Sequence, residues 1–172
     1  YHAASINQIQ TNLASKTCPV TTSIAGNNAT PVVNALSNYT IPKSTPFALT
    51  GSASDADGDA LTYCWEQYDN ASTSQTGASS VASATKASGP NWITFSPTTS
   101  PTRYFPRLSS ILAGSLTTGP LTGGDAGATS EALSSVARTL NFRLTVRDNA
   151  PYSSTAPVKV GQTQYANMTV TV

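Results

Sequence analysis

The sequence predicts an all-β fold: an antiparallel β-sandwich that follows a short N-terminal helix and contains a long insertion. Residues 61–68 and 140–147 alternate apolar and polar side chains with the period of a half-buried strand. Residues 166–172 repeat the pattern at the end of the chain. Short alternating runs that are separated by Pro, Gly and Asn turn signals are typical of a sandwich.

The first predicted element is a helix within residues 1–16. Ile6, Ile9 and Leu13 recur at the spacing that puts them on one helix face. Lys16 follows near the end, where a cation suits the helix dipole. An apolar stripe needs a partner surface, so we expect these three residues to contact a neighbouring domain.

Residues 17–30 are predicted to be a linker, because Pro, Gly, Asn and Thr leave little apolar surface to bury. The sandwich then covers residues 31–172, with insertions at about 70–90 and 106–136. The first insertion is nearly all small or hydroxyl-bearing residues, and the second is rich in glycine. The core positions expected from the alternation are Leu61, Tyr63, Trp65, Leu140, Phe142, Leu144, Val146, Ala166, Met168, Val170 and Val172.

The composition excludes several classes of partner. Charged residues make up 10% of the 172 positions and the net charge is +1, which leaves no basic surface for nucleic acid. No run of about 18 apolar residues occurs, so no membrane span is expected.

The neutral, hydroxyl-rich composition predicts a secreted or cell-surface location. The first residues contain neither Met nor a signal-peptide pattern, so we expect a piece of a longer precursor.

Five of the eight acidic residues lie within residues 52–69, and three of them alternate along a predicted turn that contains Gly58. Alternate carboxylates can wrap Ca²⁺, which takes six to eight oxygen ligands. The strand that ends at residues 148–149 is expected to run beside the strand of residues 61–68, so its end can approach this turn. The predicted calcium ligands are Asp55, Asp57, Asp59, Asp148 and Asn149. The alternative is ordinary turn chemistry, because Asp side chains cap their own backbone.

A pair of catalytic carboxylates is a second interpretation, with Glu66 facing either Asp69 or Asp148 as in a glycosidase. However, Glu66 lies on the outer face of its strand, and Arg143 and Arg147 lie on the outer face of the expected neighbour. This favours a cross-strand ion pair. The chain has a single histidine, so we expect neither a Ser-His-Asp triad nor a Cys/His zinc cluster. We therefore expect no enzymatic activity.

Cys18 and Cys64 are the two cysteines of the chain. Cys64 is expected to point away from the core, because Tyr63 and Trp65 point into it. A Cys18–Cys64 disulfide would tie the linker to the sheet and stabilise it through loop closure. The sequence therefore predicts this bond.

Exposed aromatic side chains would indicate a sugar-binding surface. Trp65 belongs to the predicted apolar face, whereas Trp92, Tyr104 and Tyr152 lie outside the clear strands. Packing of the inserted segments is the alternative account of these three residues.

Several motifs in the sequence resemble those of a known family. The order "GSASDADGDALTYCWEQYD", then "LNFRLTVRDN" and "MTVTV", resembles the polycystic-kidney-disease-type (PKD) and cadherin-like immunoglobulin folds of bacterial surface proteins. More narrowly, "YHAASINQIQTNLAS" and "SPTRYFPRLSSILAG" together with these motifs resemble the segment that follows the catalytic domain in secreted reprolysin-like zinc metalloproteases of Bacteroidetes-type bacteria. The resemblance implies an immunoglobulin/PKD-like sandwich and a helix left from the catalytic domain. The resemblance to cadherin-like domains also implies that the chain binds calcium.

The His-Glu-x-x-His motif of those proteases is absent. The resemblance therefore implies a non-catalytic accessory domain that attaches, spaces or stabilises the protease. Its expected partners are the catalytic domain of the same precursor and a protein or polysaccharide on a cell surface. The alternative function is a carbohydrate- or cell-surface-binding adhesion module.

Overall fold

The computed structural model describes residues 3–24, 26–120, 122 and 128–172, so the first two residues of the predicted helix lie outside it. The helical elements are α1 (Ala3–Ala14), a 3-10 helix (Gly77–Ser80) and α2 (Leu108–Leu112). The strands are β1 (Val32–Val33), β2 (Tyr39–Thr40), β3 (Phe47–Thr50), β4 (Ala53–Ser54), β5 (Leu61–Gln67), β6 (Thr102–Phe105), β7 (Thr117–Thr118), β8 (Glu131–Ala132), β9 (Thr139–Asp148) and β10 (Thr163–Thr171). The prediction of a strand-rich fold is confirmed.

The largest sheet has four strands in the order β2-β10-β9-β5. Strand β9 is central and runs antiparallel to both β10 and β5. Strand β2 pairs with the end of β10 in parallel, with Tyr39 opposite Val170. The sheet is therefore mixed, whereas the sequence predicted purely antiparallel pairing.

Three further sheets have two antiparallel strands each: β1 with β4, β3 with β6, and β7 with β8. Two strands are too few for independent stability in water, so these pairs depend on packing against the rest of the molecule. Phe47 of β3 stacks on Phe105 of β6, and Phe105 in turn meets Phe142 of β9 edge to face. The β3–β6 pair thus covers the apolar face of the four-stranded sheet.

The buried core confirms the predicted alternation of β9. Leu140, Phe142, Leu144 and Val146 are all at most 1% exposed. Burial of each such side chain contributes about 1.5–3 kcal/mol to folding. The other buried core residues are Leu49, Trp65, Trp92, Phe105, Leu133, Met168 and Val170, with Leu61, Tyr63 and Val172 partly buried against them.

The predicted linker and insertions are more structured than the sequence indicated. In the linker, Asn28 is 1% exposed and donates a hydrogen bond to Asp148. The first insertion contains the 3-10 helix, and the second contains α2, β7 and β8. Strand β8, near the end of the second insertion, is buried.

Candidate functional site

The acidic turn joins β4 to β5. Asp55 Oδ1 accepts hydrogen bonds from the backbone N–H groups of Asp57 (3.0 Å) and Asp59 (3.1 Å), so Asp55 shapes the turn. Gly58 has φ +76°, a conformation that favours glycine. The turn-chemistry interpretation is therefore correct for Asp55 Oδ1 and for Gly58.

The same turn gathers three carboxylates that can hold a metal ion. One oxygen each from Asp55, Asp57 and Asp59 lies within 4.8 Å of the other two. Asp57 Oδ2 accepts the backbone N–H of Ala29 at 2.6 Å, and Asp59 Oδ2 pairs with Lys159 Nζ at 3.2 Å. Asp55 Oδ2 is buried and has no hydrogen-bond partner. We call Asp55, Asp57 and Asp59 the acidic triad.

Asp148 is not among the carboxylates that lie within 4.8 Å of one another in the acidic triad, and its own contacts and those of Asn149 are as follows. Asp148 is fully buried, and its carboxylate accepts hydrogen bonds from Asn28 Nδ2 (3.1 Å), Gln162 N (3.0 Å) and Ala150 N (3.1 Å). With three donors, this carboxylate is a structural link between β9, the linker and the start of β10. Asn149 is exposed, and its side-chain amide donates to Ala60 O at 2.7 Å.

Asn28 is a residue of this region that sequence reasoning missed. Its Nδ2 donates to Asp148 Oδ2 and to Val160 O, whereas its Oδ1 is buried without a partner. The next residue, Ala29, donates to the acidic triad. An Asn in a polar linker carries no sequence signal of burial, so only the long-range fold reveals its position.

The predicted Cys18–Cys64 disulfide is not formed in the structure, where both cysteines are free. Cys18 is exposed, while Cys64 is partly buried and donates its S–H to Phe95 O at 3.5 Å. Burial raises the pKa of the Cys64 thiol; the charge of Glu66 adds to this effect and that of Arg103 opposes it.

The carboxylates proposed as a catalytic pair are engaged separately. Glu66 is 7% exposed, and its Oε1 accepts the backbone N–H of Ala3 at 3.1 Å. Asp69 accepts hydrogen bonds from Asn141 and Gln67 and lies 3.9 Å from Arg138 Nη2. The Asp148 carboxylate accepts hydrogen bonds from Asn28, Gln162 and Ala150. These side chains support the β5–β9 sheet rather than facing one another across a cleft.

The cross-strand ion pair expected between Glu66 and Arg143 is absent among the described residues, although the two are register partners. Arg143 instead stacks on Tyr165 at 3.8 Å and on Tyr68 at 4.7 Å from the ring centroids. Its Nε donates to Asn167 Oδ1 at 2.8 Å.

The apolar stripe of α1 is exposed as the interdomain prediction requires. Ile6, Ile9 and Leu13 are 45%, 48% and 55% exposed. Helix α1 meets the sheet at its N-terminal end, where Ala3 is buried and bonded to Glu66. The stripe beyond that point faces outward.

The aromatic residues proposed for sugar binding are not gathered into one surface. Trp92 is 4% exposed and packs edge to face against Phe47 and Phe105, as the packing alternative predicted. Trp65 is also in the core. Tyr104 and Tyr152 are exposed at 42% and 72%, without either tryptophan beside them on the surface.

Comparison with known proteins does not assign this arrangement to a family. No protein-family model, no curated protein and no solved structure matches the chain. Among the described residues, no helix has both the length and the apolar character needed to cross a membrane.

Proposed function

We propose that this chain is a non-catalytic accessory domain of a secreted metalloprotease precursor, built as an immunoglobulin/PKD-like sandwich. It attaches to the catalytic domain of that precursor and spaces or stabilises it outside the cell. The observation that carries the proposal is the exposed apolar stripe of α1. Three large aliphatic side chains in a row on one short helix leave apolar surface that an adjoining domain can cover.

The length of α1 supports this role. The helix has 12 residues, and isolated helices shorter than about 12–15 residues are marginal in water. Its stripe provides the kind of i, i+3, i+7 anchors by which an amphipathic helix docks on another surface. The sequence resemblance to protease accessory segments identifies the catalytic domain as the expected partner.

The double variant Ile9→Ser/Leu13→Ser tests the docking role. We expect the free energy of unfolding of the isolated chain to change by less than about 0.5 kcal/mol, because both side chains are already half exposed. Binding to the recombinant catalytic domain of the same precursor should weaken by at least about tenfold, since buried anchors dominate such interfaces. Denaturant unfolding and calorimetric titration measure the two quantities.

Leu112→Ser is the matched control, because Leu112 is 79% exposed on the other helix, α2. This variant should bind as the unmodified chain does. Equal binding by the α1 double variant and the unmodified chain would contradict the docking role, as would equal weakening by Leu112→Ser.

We also propose that the acidic triad binds Ca²⁺. The ligand set consists of carboxylate oxygens, which Ca²⁺ prefers, and the irregular turn suits its flexible coordination. The buried oxygen Asp55 Oδ2 has no donor, so a cation would satisfy a group that otherwise carries a desolvation cost. Lys159 supplies the one ion pair that the triad makes among the described residues, and it would compete with the metal.

Thermal unfolding with Ca²⁺ or with a chelator tests this site. Ca²⁺ at about 100 times its Kd should add about 2.7 kcal/mol to the free energy of unfolding. Asp57→Asn should abolish the shift, whereas Lys159→Gln should enlarge it at limiting Ca²⁺ because the competing cation is gone. NaCl at matched ionic strength is the control. Identical melting temperatures with Ca²⁺ and with chelator would contradict calcium binding.

A further inference from the structure

A cavity of about 390 Å³ lies between α1 and the outer face of the four-stranded sheet. We call it the helix–sheet cavity. Ala3 and Ile6 of α1 form one wall, and outward-facing residues of β5, β9 and β10 form the other. The residues important for its chemistry are Ile6, Cys64, Glu66, Arg143, Arg147 and Tyr165. Its volume falls in the usual range of small-molecule sites, about 300–1,000 Å³.

Arg143 is the unusual group in this cavity. Its side chain belongs to a residue that is only 7% exposed, yet it forms no ion pair with any described carboxylate. No nitrogen of Arg143 is among the buried polar atoms without a partner, so the guanidinium remains accessible while most of the residue is buried. The rings of Tyr165 and Tyr68 hold the cation by stacking and fix its plane.

The hydrogen-bonding capacity of Arg143 is only partly used. Nε donates to Asn167 Oδ1, but neither terminal nitrogen of the guanidinium donates a hydrogen bond within the described part of the chain. Both terminal nitrogens therefore remain available as a two-pronged donor. This fork matches the two oxygens of a carboxylate.

The charge of the cavity favours an anion. Arg143 and Arg147 contribute two positive charges, while Glu66 contributes one negative charge and already accepts the N–H of Ala3. Ala3, Ile6 and Pro97 give the cavity an apolar part of its wall, and the other uncharged polar lining residues are Gln10, Thr62, Thr145, Thr163 and Gln164. An occupant that fits both features has a carboxylate at one end and an apolar body.

We infer that the helix–sheet cavity binds a small organic acid with an apolar body, whose carboxylate is held by the guanidinium of Arg143. The apolar body lies against Ile6 and Pro97, and Tyr165 closes the side next to the cation. The bound acid supplies the counter-ion that Arg143 lacks. Ile6 belongs both to this cavity and to the apolar stripe of α1, whereas Ile9, Leu13 and the acidic triad do not line the cavity. Variants at Ile9 and Leu13 therefore test the docking role, and variants at Arg143 and Thr145 test this site.

The test compares two probes of similar shape, N-acetyl-leucine and N-acetyl-leucinamide, at matched ionic strength; the second has a neutral carboxamide in place of the carboxylate. Amide chemical shifts of the ¹⁵N-labelled chain locate the binding and give each Kd. N-acetyl-leucine should shift the backbone amide signals of residues 62–66 and 143–147. It should bind at least about tenfold more tightly than N-acetyl-leucinamide. Equal binding of the two probes, or binding of neither, would overturn the inference.

Three variants complete the test. Arg143→Gln should remove the preference for the acid, and Thr145→Leu, which fills the cavity without altering Arg143, should abolish the binding of both probes. Lys43→Gln removes an exposed positive charge outside the cavity and should leave both Kd values unchanged. If Arg143→Gln fails to fold, Thr145→Leu still decides: retained binding overturns the site. Equal weakening by Lys43→Gln would overturn it too.

Discussion

At the scale of single residues, Glu131 is a buried charge that holds the second insertion in place, although no sequence pattern marks it as buried. It is fully buried and accepts hydrogen bonds from Arg103 Nη2 (2.9 Å), Thr118 Oγ1 (2.7 Å) and Arg107 N (3.0 Å). Burial lowers the pKa of Arg103, and the contact with Glu131 opposes this effect. The pair anchors the second insertion to the core, because Arg103 also donates to Trp65 O.

The two cysteines give a residue-scale prediction. A thiol-reactive reagent should label the exposed Cys18 rapidly and Cys64 slowly at neutral pH. The thiolate is the nucleophile, and a raised pKa lowers its fraction at any pH below that pKa, so Cys64 labelling should accelerate only as the pH rises into the alkaline range. Mass spectrometry of the labelled peptides measures both rates.

The variant Cys18→Ser provides the control for this experiment, and it should leave the slow labelling of Cys64 unchanged. An unmodified chain that takes up no label and has an intact mass two hydrogens lower would contradict the free thiols. That result would instead confirm the disulfide that the sequence predicted.

At the scale of elements, the sequence predicts the long strands well and the short ones poorly. Strands β5, β9 and β10 are long enough for the period of two to be visible. The two-residue strands β7 and β8 form because tertiary packing brings them together. Residues 91–97 are rich in strand-forming residues, but the structure contains only an isolated bridge there, between Trp92 and Glu131. Tertiary contacts override the strand propensity of these residues.

Gly51 illustrates a constraint between elements that no local pattern shows. A Cβ atom at this position would lie 2.1 Å from Leu144 Cδ2 and 3.5 Å from Trp65 Cζ2. Glycine therefore allows the chain between β3 and β4 to pass directly against the core.

The candidate metal site was predictable to the extent that it is local. Asp55, Asp57 and Asp59 belong to one turn, and their proximity follows from their spacing. The positions of Asn28 and Lys159 depend on contacts between segments 120 and 100 residues apart, as the bonds to Asp148 and Asp59 show. Such contacts follow from topology and not from a motif.

At the scale of the whole molecule, the fold divides into a firmly packed β-rich body and a helix whose apolar face is open. Strand β9 is paired on both sides and buries its apolar side chains completely. Helix α1 joins the body through Ala3 and Glu66 and leaves Ile9 and Leu13 half exposed. This contrast underlies the proposed role, because a helix of this kind gains most of its stability from a partner.

Amide hydrogen exchange of the isolated chain tests this contrast most directly. The amides of β9 should exchange at the slow rate set by global unfolding, and those of α1 should exchange at least about a thousandfold faster, through local opening. A neighbouring domain that covers the stripe would then slow the exchange in α1. Protection of α1 in the isolated chain equal to that of β9 would contradict the account, because the helix would need no partner.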